Sequence, residues 1–185
     1  MNSPETTTVN PGTTTVTTRY TTYDSPLGEL LLVGEDSVTA AGGTALVSLT
    51  MPQQQGSTVA AHWRHDPGPF AEAVRQLRAY FAGELTRFEL EFRTAGTAFQ
   101  ERVWRALEAI PYGTTTSYGR LADGVGVPRG DVRALAAAVG ANPLLILRPC
   151  HRVIGTDGTM RGYAAGVDAK VALLTHEGAL QPTLI

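Results

Sequence analysis

The stretch 117–143 constrains the fold more than any other part of the sequence. Ser117 is a favourable N-cap for a short helix, and the glycines and proline within 124–128 form a turn after it. A second helix is predicted over about 129–139, because Gly140 and an Asn-Pro pair end it. Two short helices around a glycine-containing turn are typical of a helix-turn-helix.

The second of these helices has two different faces. One is apolar and is expected to pack inward: Val132, Leu135, Ala136 and Val139. Another carries one long cation among small side chains: Arg133, Ala137 and either Gly140 or Ala141. Small side chains let a helix approach a backbone or a narrow groove closely, which suits nucleic-acid binding. The alternative is that alanine is simply a good helix former in an alanine-rich chain.

The rest of the chain predicts an α+β fold with two domains. Strands are expected on both sides of a turn at 25–28 and again at 45–51, with a loop at 52–58 and an amphipathic helix over 69–82. A capping box of Thr97 and Gln100 begins a helix over about 98–109, and a last helix is expected over 168–177 with Val167, Val171 and Leu174 on its apolar face. The predicted division is a disordered Thr-rich tail (1–18), an N-terminal α+β domain (19–93) with no catalytic constellation, and a C-terminal domain (94–181).

The composition is that of a soluble protein with an uneven charge distribution. The chain has 185 residues, is 43% hydrophobic and contains one cysteine, which excludes an internal disulfide and a multi-cysteine metal site. Without a signal peptide or a membrane-length apolar run, a cytoplasmic location is expected. Residues 1–93 hold six basic and ten acidic side chains, whereas 94–185 hold nine and seven. Six arginines of the second half indicate either a solvated surface or an anionic partner: Arg120, Arg129, Arg133, Arg148, Arg152 and Arg161.

The single cysteine, Cys150, lies in the segment RPCHRVIG. A lone cysteine is commonly a buried, unreactive small hydrophobe. Here Arg148, His151 and Arg152 are expected to favour the thiolate, which is the nucleophilic form. Glu177 ends the last predicted helix, where a carboxylate opposes the helix dipole unless it has a partner. His151 is a fitting partner, since a histidine oriented by a carboxylate can accept the thiol proton; a solvated surface glutamate is the alternative.

These segments resemble the O6-alkylguanine-DNA alkyltransferases. FQERVWRALEAIPYGTTTSYGRLA, VRALAAAVGANP, RPCHRVIG, GYAAG and LLTHEG occur in the family's order and nearly at its spacing, over residues 97–178. The resemblance implies a small ribonuclease H-like N-terminal domain and a winged helix-turn-helix domain that carries the cysteine. It also implies a monomeric DNA-repair protein that flips O6-alkylguanine, and O4-methylthymine, out of double-stranded DNA. The alkyl group then passes irreversibly to Cys150, once per molecule, without a metal or other cofactor; cooperative binding along DNA stays open.

The resemblance assigns roles to the matching residues. Cys150 is similar to the acceptor, and His151, through a water, and Glu177 to the relay that generates the thiolate. Arg133 matches the finger that replaces the flipped base in the stack, and Tyr118 the donor to the minor-groove nitrogen of guanine. Asn142 resembles the residue that joins the helix-turn-helix to the cysteine segment. The base edge is expected to meet the backbone of Cys150, Val153 and Ala164, with Tyr163 shaping the pocket.

The chain departs from the family pattern at a few positions. Arg148 replaces an aliphatic residue before the Pro-Cys pair and is expected to lower the thiol pKa or to contact a phosphate. Ala165 replaces a glycine and is expected to narrow the pocket against bulky alkyl groups. Two other functions stay open: a sensor that binds damaged guanine without transfer, against which the cysteine argues, and a cysteine hydrolase, for which no local signature is present.

Overall fold

The computed structural model describes residues 17–52, 54 and 58–180. The strands are β1 (Thr18–Ser25), β2 (Gly28–Asp36), β3 (Thr44–Thr50), β4 (Arg64–His65), β5 (Thr116–Ser117) and β6 (Val153–Ile154). The helices are α1 (Ala71–Phe81), α2 (Ala98–Glu108), α3 (Tyr118–Gly124), α4 (Val132–Gly140) and α5 (Val167–His176). Single 3-10 turns occupy Gly68–Phe70, Arg129–Asp131 and Cys150–Arg152. The predicted disordered tail lies outside the described residues except at its end, where Thr18 already belongs to β1.

A four-stranded sheet forms the N-terminal half. Its order is β3-β2-β1-β4; β1 and β2 form an antiparallel hairpin, β3 is antiparallel to β2, and β4 is parallel to β1. The hairpin turn is where the sequence predicts it, and Gly28 has the positive φ of 97° that a glycine adopts without strain. The strand expected at 45–51 is β3, while most of the loop at 52–58 lies outside the described residues.

The outer edge of β3 fastens the sheet to the second half of the chain. Leu46 exchanges backbone hydrogen bonds with Glu91 and Arg93 of the connecting segment. Leu49 donates its N–H to Pro143 and accepts from Leu145, just before the cysteine segment. Buried side chains of the sheet, α1, α2 and α4 form one continuous hydrophobic cluster that includes Cys150. The cysteine segment is therefore packed between both halves of the molecule.

The C-terminal half is mostly helical. The structure confirms the capping box: Gln100 N–H donates to Thr97 Oγ1 at 3.2 Å, and Thr97 N–H donates to Gln100 Oε1 at 2.9 Å. Ser117 caps α3 as expected, by accepting from Arg120 N–H. α3 and α4 pack against each other across the glycine turn, and β5 pairs with β6 in a small parallel sheet. An N-terminal sheet domain and a helical C-terminal domain thus confirm the predicted α+β class.

In the described part of the chain, no helix combines the length and the apolar character that a membrane crossing requires. Nor do the described residues bring three or more His, Cys, Asp or Glu side chains together in a cluster that suits a metal ion.

Removing the cap hydroxyl of α2 should destabilise the protein. Thr97→Ala deletes one acceptor for the first-turn N–H groups, and N-cap losses cost about 0.5–2 kcal/mol. Urea denaturation should show this as a lower midpoint with an unchanged slope. Thr175→Ala, at an exposed position inside α5, is the matched control and should leave the midpoint nearly unchanged. Equal midpoints for the two variants would contradict a stabilising cap.

Candidate active site

The cysteine segment is a buried, tightly wound connection between α4 and β6. Residues 144–153 are all buried, and Cys150 itself is 5% exposed. Backbone hydrogen bonds from Arg148 to Leu144 and from Cys150 to Arg148 turn the chain sharply. Ile146 has φ of 69°, which is rare for a β-branched residue and costs on the order of 1–3 kcal/mol. Such strain persists only where the surroundings fix the backbone, and here it lies four residues before the cysteine.

Asn142 holds this segment and reaches the sulfur. Its Nδ2 donates to the carbonyls of Arg148 at 2.9 Å and Leu144 at 3.2 Å, and lies 3.2 Å from Cys150 Sγ. Its Oδ1 accepts from Leu144 N–H at 3.1 Å. Asn142 is 1% exposed and belongs to the turn that ends α4. One amide therefore links the helix-turn-helix, the cysteine backbone and the thiol.

The thiol pKa differs from the sequence-based expectation. Burial raises the pKa of Cys150 to about 11, although the Asn142 hydrogen bond and the charge of Lys170 act in the opposite direction. The expectation that Arg148, His151 and Arg152 lower it is wrong, because the two arginines are neutralised elsewhere and burial dominates. In this state of the protein, the sulfur is a protonated thiol at neutral pH.

Arg148 faces away from the thiol. Its Nε donates to Glu108 Oε1 at 2.7 Å and its Nη1 to Thr94 Oγ1 at 2.9 Å, while its guanidinium lies 5.5 Å from the Phe92 ring centre and 5.4 Å from that of Trp104. The side chain is 6% exposed. The expected phosphate contact is therefore wrong: Arg148 ties the cysteine segment to α2 and to the connection between the two halves.

His151 and Glu177 are joined inside the protein. His151 Nε2 lies 2.8 Å from Glu177 Oε1, and both side chains are fully buried. An ionised carboxylate only accepts hydrogen bonds, so Nε2 carries the proton and Nδ1 is the unprotonated nitrogen. Nδ1 is buried and has no hydrogen-bond partner among the described residues. Burial lowers the pKa of His151, partly offset by the Glu177 hydrogen bond and charge, so the ring is neutral at neutral pH and free to accept a proton.

Glu177 accepts hydrogen bonds from four groups besides His151. Arg152 donates Nε to Oε2 at 2.8 Å and Nη2 to Oε1 at 2.9 Å, Tyr80 Oη donates to Oε1 at 2.8 Å, and the N–H of Gly113 donates to Oε2 at 3.3 Å. Burial alone would raise the pKa of Glu177, but the hydrogen bonds from His151 and Arg152 lower it to about 2. The carboxylate that follows α5, where the helix dipole disfavours a negative charge, is thus a buried anion that several hydrogen-bond donors stabilise.

A cavity of about 1030 Å³ opens beside Cys150. It lies between α3, α4 and the loop that follows β6, and its wall combines glycines and other small residues with tyrosines and arginines. Five predicted site residues line it: Tyr118, Arg133, Cys150, Tyr163 and Ala164. The other four lie outside its wall: Asn142, His151 and Glu177 are buried behind the cysteine, and Val153 pairs with Thr116 at the start of β6.

The two tyrosines of the cavity differ in their hydrogen bonds. Tyr118 Oη donates to the carbonyl of Arg161 at 3.5 Å, a long contact. Tyr163 Oη is buried without a hydrogen-bond partner among the described residues, and its ring centre lies 6.4 Å from that of His151. Burial raises the pKa of both hydroxyls, and a charge on Cys150 would raise it further. Both tyrosines therefore remain hydrogen-bond donors at neutral pH.

The face of α4 that meets the cavity is shifted from the predicted one. Leu135, Ala138 and Val139 are the buried residues, whereas Val132 and Ala136 are half-buried and line the cavity beside Arg133. The guanidinium of Arg133 is exposed and makes no hydrogen bond or ion pair with any described residue. Ala165 is buried and is not part of the cavity wall, which gives no support to the expected narrowing of the pocket.

Lys170 and Tyr80 were not identified from the sequence. Lys170 is fully buried, and its Nζ donates to the carbonyls of Val153 at 2.5 Å, Arg161 at 3.1 Å and Gly162 at 3.3 Å. It thereby ties α5 to the strand and loop beside the cavity. The apolar face predicted for α5 is only partly right: Leu174 is fully buried, whereas Val167 and Val171 are 41% and 38% exposed. Lys170 lies at helical spacing from Leu173, Leu174 and Glu177, and this spacing is the sequence pattern that could have indicated its burial. A buried ammonium is rare unless several acceptors surround it, and only the fold brings those acceptors together.

Comparison with known proteins places this geometry in a family. Residues 98–179 match the model of the 6-O-methylguanine DNA methyltransferase DNA-binding domain, and 18–94 that of its ribonuclease-like domain. The methylated-DNA–protein-cysteine methyltransferase of Mycobacterium bovis is 50% identical over 163 residues, which is 88% of this chain and 94% of that protein. That of Methanosarcina acetivorans is 42% identical over 160 residues, which is 86% of this chain and 98% of that protein.

Solved structures agree with these relatives. The crystal structure of Mycobacterium tuberculosis OGT in complex with DNA has 50% sequence identity and a TM-score of 0.76, covering 87% of this chain and 93% of that one. The methyltransferase of the archaeon Pyrococcus kodakaraensis, at 19% identity and a TM-score of 0.56, shows the fold alone. With two family domains matched across most of its length, the chain belongs to the O6-alkylguanine-DNA alkyltransferase family of DNA-repair methyltransferases.

Proposed function

We propose that this protein repairs DNA by transferring the alkyl group of O6-alkylguanine, and of O4-methylthymine, to the sulfur of Cys150. The observation that carries the proposal is the placement of a buried His151–Glu177 pair beside the single cysteine at a cavity, with one imidazole nitrogen that no described residue hydrogen-bonds. Double-stranded DNA is the partner, and neither a metal nor an organic cofactor takes part. The sensor function is disfavoured because the acceptor is present.

Formation of the Cys150 thiolate requires a base. Since burial raises the pKa of Cys150 to about 11, a base must take the thiol proton. Neutral His151 accepts it at Nδ1, through a water in the manner that the family resemblance implies, and Glu177 stabilises the imidazolium through Nε2. Sγ then attacks the alkyl carbon, and the electron pair of the breaking C–O6 bond stays with guanine. A hydrogen bond from Tyr118 to the minor-groove ring nitrogen of guanine stabilises this leaving group.

The helix-turn-helix presents the damaged base to the cysteine. A base inside the stack is out of reach, so the nucleotide must rotate out at a cost of a few kcal/mol. Arg133, which is exposed at the cavity, fills the gap that the base leaves. The cavity receives the base: backbone groups of Cys150 and Ala164 read its edge, and Tyr163 forms part of the wall. Val153 lies outside the wall, where its carbonyl accepts from Lys170. Asn142 holds Cys150 and the end of α4 in register.

The chemistry limits each molecule to one reaction. A thioether does not return to a thiol without a dedicated reductant or hydrolase, and the chain has no second cysteine to regenerate Cys150.

We place the division between the DNA-binding domain (94–181) and the N-terminal domain (19–93). We also propose that the protein acts as a monomer in the cytoplasm.

Mass spectrometry tests this proposal directly. Incubation with a duplex that carries one O6-methylguanine should add the mass of one methylene to Cys150 and saturate at one per molecule. Cys150→Ser should bind the same duplex and gain no mass. Tight binding of the unchanged protein without a mass increase would favour a sensor, and repeated turnover on an ester without DNA would favour a hydrolase.

A further inference from the structure

The hydroxyl of Tyr80 belongs to the first half of the chain, yet it lies on the carboxylate that orients His151. Tyr80 is the tenth residue of α1 and is 0% exposed. Its Oη donates to Glu177 Oε1 at 2.8 Å, the same oxygen that His151 Nε2 contacts at 2.8 Å. Lys170, Cys150 and the residues of the cavity wall all come from the second half of the chain. The hydrogen bond from Tyr80 therefore connects α1 of the first half to the His151–Glu177 pair.

The position of Tyr80 is fixed by further contacts with the end of α5. His176 Nε2 lies 2.8 Å from the backbone carbonyl of Tyr80, and the two ring centres are 5.0 Å apart. The rings of Phe81, Phe88 and Tyr112 surround the phenol, with centres 5.2, 5.3 and 6.0 Å from it. A phenol held in this way has little freedom to rotate, so its hydrogen bond to Glu177 is part of a rigid arrangement.

We propose that Tyr80 is a positioning residue for the alkyl-transfer reaction, which sets the basicity of His151 by sharing oxygen Oε1 of Glu177 with it. This proposal rests on the relay described under the proposed function. A neutral donor on Oε1 withdraws negative charge from the oxygen that would stabilise the imidazolium. The same hydrogen bond fixes the carboxylate, so that Nε2 keeps its proton and Nδ1 stays available for the thiol.

Tyr80 acts as a constant donor and does not itself exchange protons. Burial and the charge of Glu177 raise the pKa of its phenol far above its ordinary value. The titratable and charged groups that act on His151 or on its partner Glu177 come from several elements. Glu177 just after α5, Arg152 and Lys170 act on His151 directly, Tyr163 packs near its ring, and Cys150 adjoins it in the chain. Tyr80 of α1 contacts Glu177, and the rings of Tyr112 and His176 pack against Tyr80. Of these, Tyr80 and Arg152 are the side chains that share Oε1 with His151.

The experiment compares variants that differ by one hydroxyl. Tyr80→Phe removes the donor to Glu177, and Tyr112→Phe removes a neighbouring hydroxyl whose 3.4 Å contact goes to the carbonyl of His176 instead. The pKa and tautomer of His151 are read in the free protein by ¹⁵N NMR, and single-turnover methyl transfer from an O6-methylguanine duplex is measured against pH. The NMR readout needs no DNA, so it is independent of whether transfer occurs.

In Tyr80→Phe, the less compensated carboxylate should raise the pKa of His151. The acid limb of the transfer rate should move up by roughly 0.5–1 pH unit, and the plateau rate should fall about three- to tenfold, as expected for loss of one hydrogen bond. Tyr112→Phe should match the unchanged protein in both. As a second variant that keeps the volume, 3-fluorotyrosine at position 80 is a stronger donor and should move the acid limb in the opposite direction.

The proposal would be overturned if neither position-80 variant shifted the titration of His151. It would also be overturned if Tyr80→Phe lowered the rate without changing the pH profile, because that result indicates a purely structural role. A third outcome separates the two proposals. If the variants shift the titration of His151 but the unchanged protein transfers no methyl group, Tyr80 acts on His151 as proposed and the proposed function is overturned instead.

Discussion

Glu177→Gln should slow alkyl transfer about a hundredfold or more and should also destabilise the fold strongly. The amide no longer stabilises the imidazolium of His151, and general acid–base assistance is typically worth about 10²–10⁴ in rate. It also leaves the guanidinium of Arg152, 7% exposed, without its counter-charge. Breaking a buried ion pair from one side costs about 3–5 kcal/mol, a large part of the stability of a typical domain.

Acid stability gives Glu177→Gln a second, independent signature. Because the pKa of Glu177 is about 2 in the folded protein and 4.5 ordinarily, its contribution is complete above about pH 4.5 and is lost as the pH falls toward 2. Urea midpoints measured across this range should decline in the unchanged protein and decline less in the variant. Glu84→Gln removes an equal charge from the surface and serves as the control. A variant that kept both the normal rate and the normal midpoint would show that Glu177 is not part of the relay.

Arg133→Ala should slow repair of duplex DNA by roughly ten- to a hundredfold while leaving the thiol chemistry intact. Stacking of a nucleic-acid base on a protein side chain is worth about 1–3 kcal/mol, and each 1.4 kcal/mol is a factor of ten. If Arg133 replaces the flipped base in the stack, its removal raises the free-energy barrier to repair by about that stacking free energy. The rate is measured under single-turnover conditions at saturating duplex, so that a weaker affinity does not contribute.

Two comparisons isolate the role of Arg133 in base flipping. Arg120→Ala removes an equal charge from α3 at the same cavity and should weaken binding at high salt more than it slows transfer at saturation. Methyl transfer from the free base O6-methylguanine requires no flipping and should be unchanged in Arg133→Ala. An equal loss on the free base and on the duplex would mean that Arg133 supports the cavity rather than the rotation of the nucleotide.

Local signals in the sequence were reliable where the physics is local. The capping box at Thr97 and the cap at Ser117 depend on residues three positions apart, and both are present in the structure. The same holds for the turn at 25–28 and for the glycine turn between α3 and α4. The pairing of His151 with Glu177 was inferred from an unfavourable helix position and a motif, and the structure brings these two side chains within 2.8 Å.

Predictions failed where the answer depended on distant parts of the chain. Arg148 was expected near the thiol or a phosphate, but Glu108, Thr94 and two aromatic rings arrive from other elements and bury it. Val167 and Val171 were expected inside α5, yet Lys170 is the buried residue because three carbonyls converge on it. Neighbouring charges were expected to lower the thiol pKa, whereas burial of the whole segment raises it.

The sequence by itself determined most of the helices and their caps, because these depend on residues a few positions apart. The succession of strand and helix patterns indicated the α+β class, and contiguous motifs indicated the candidate site residues. The tertiary structure alone decided the state of the thiol, the neutral form of His151 and the presence of Tyr80 on the relay. Those properties depend on desolvation and on hydrogen bonds between residues as far apart as Tyr80 and Glu177, which come together only when both halves of the chain share one core.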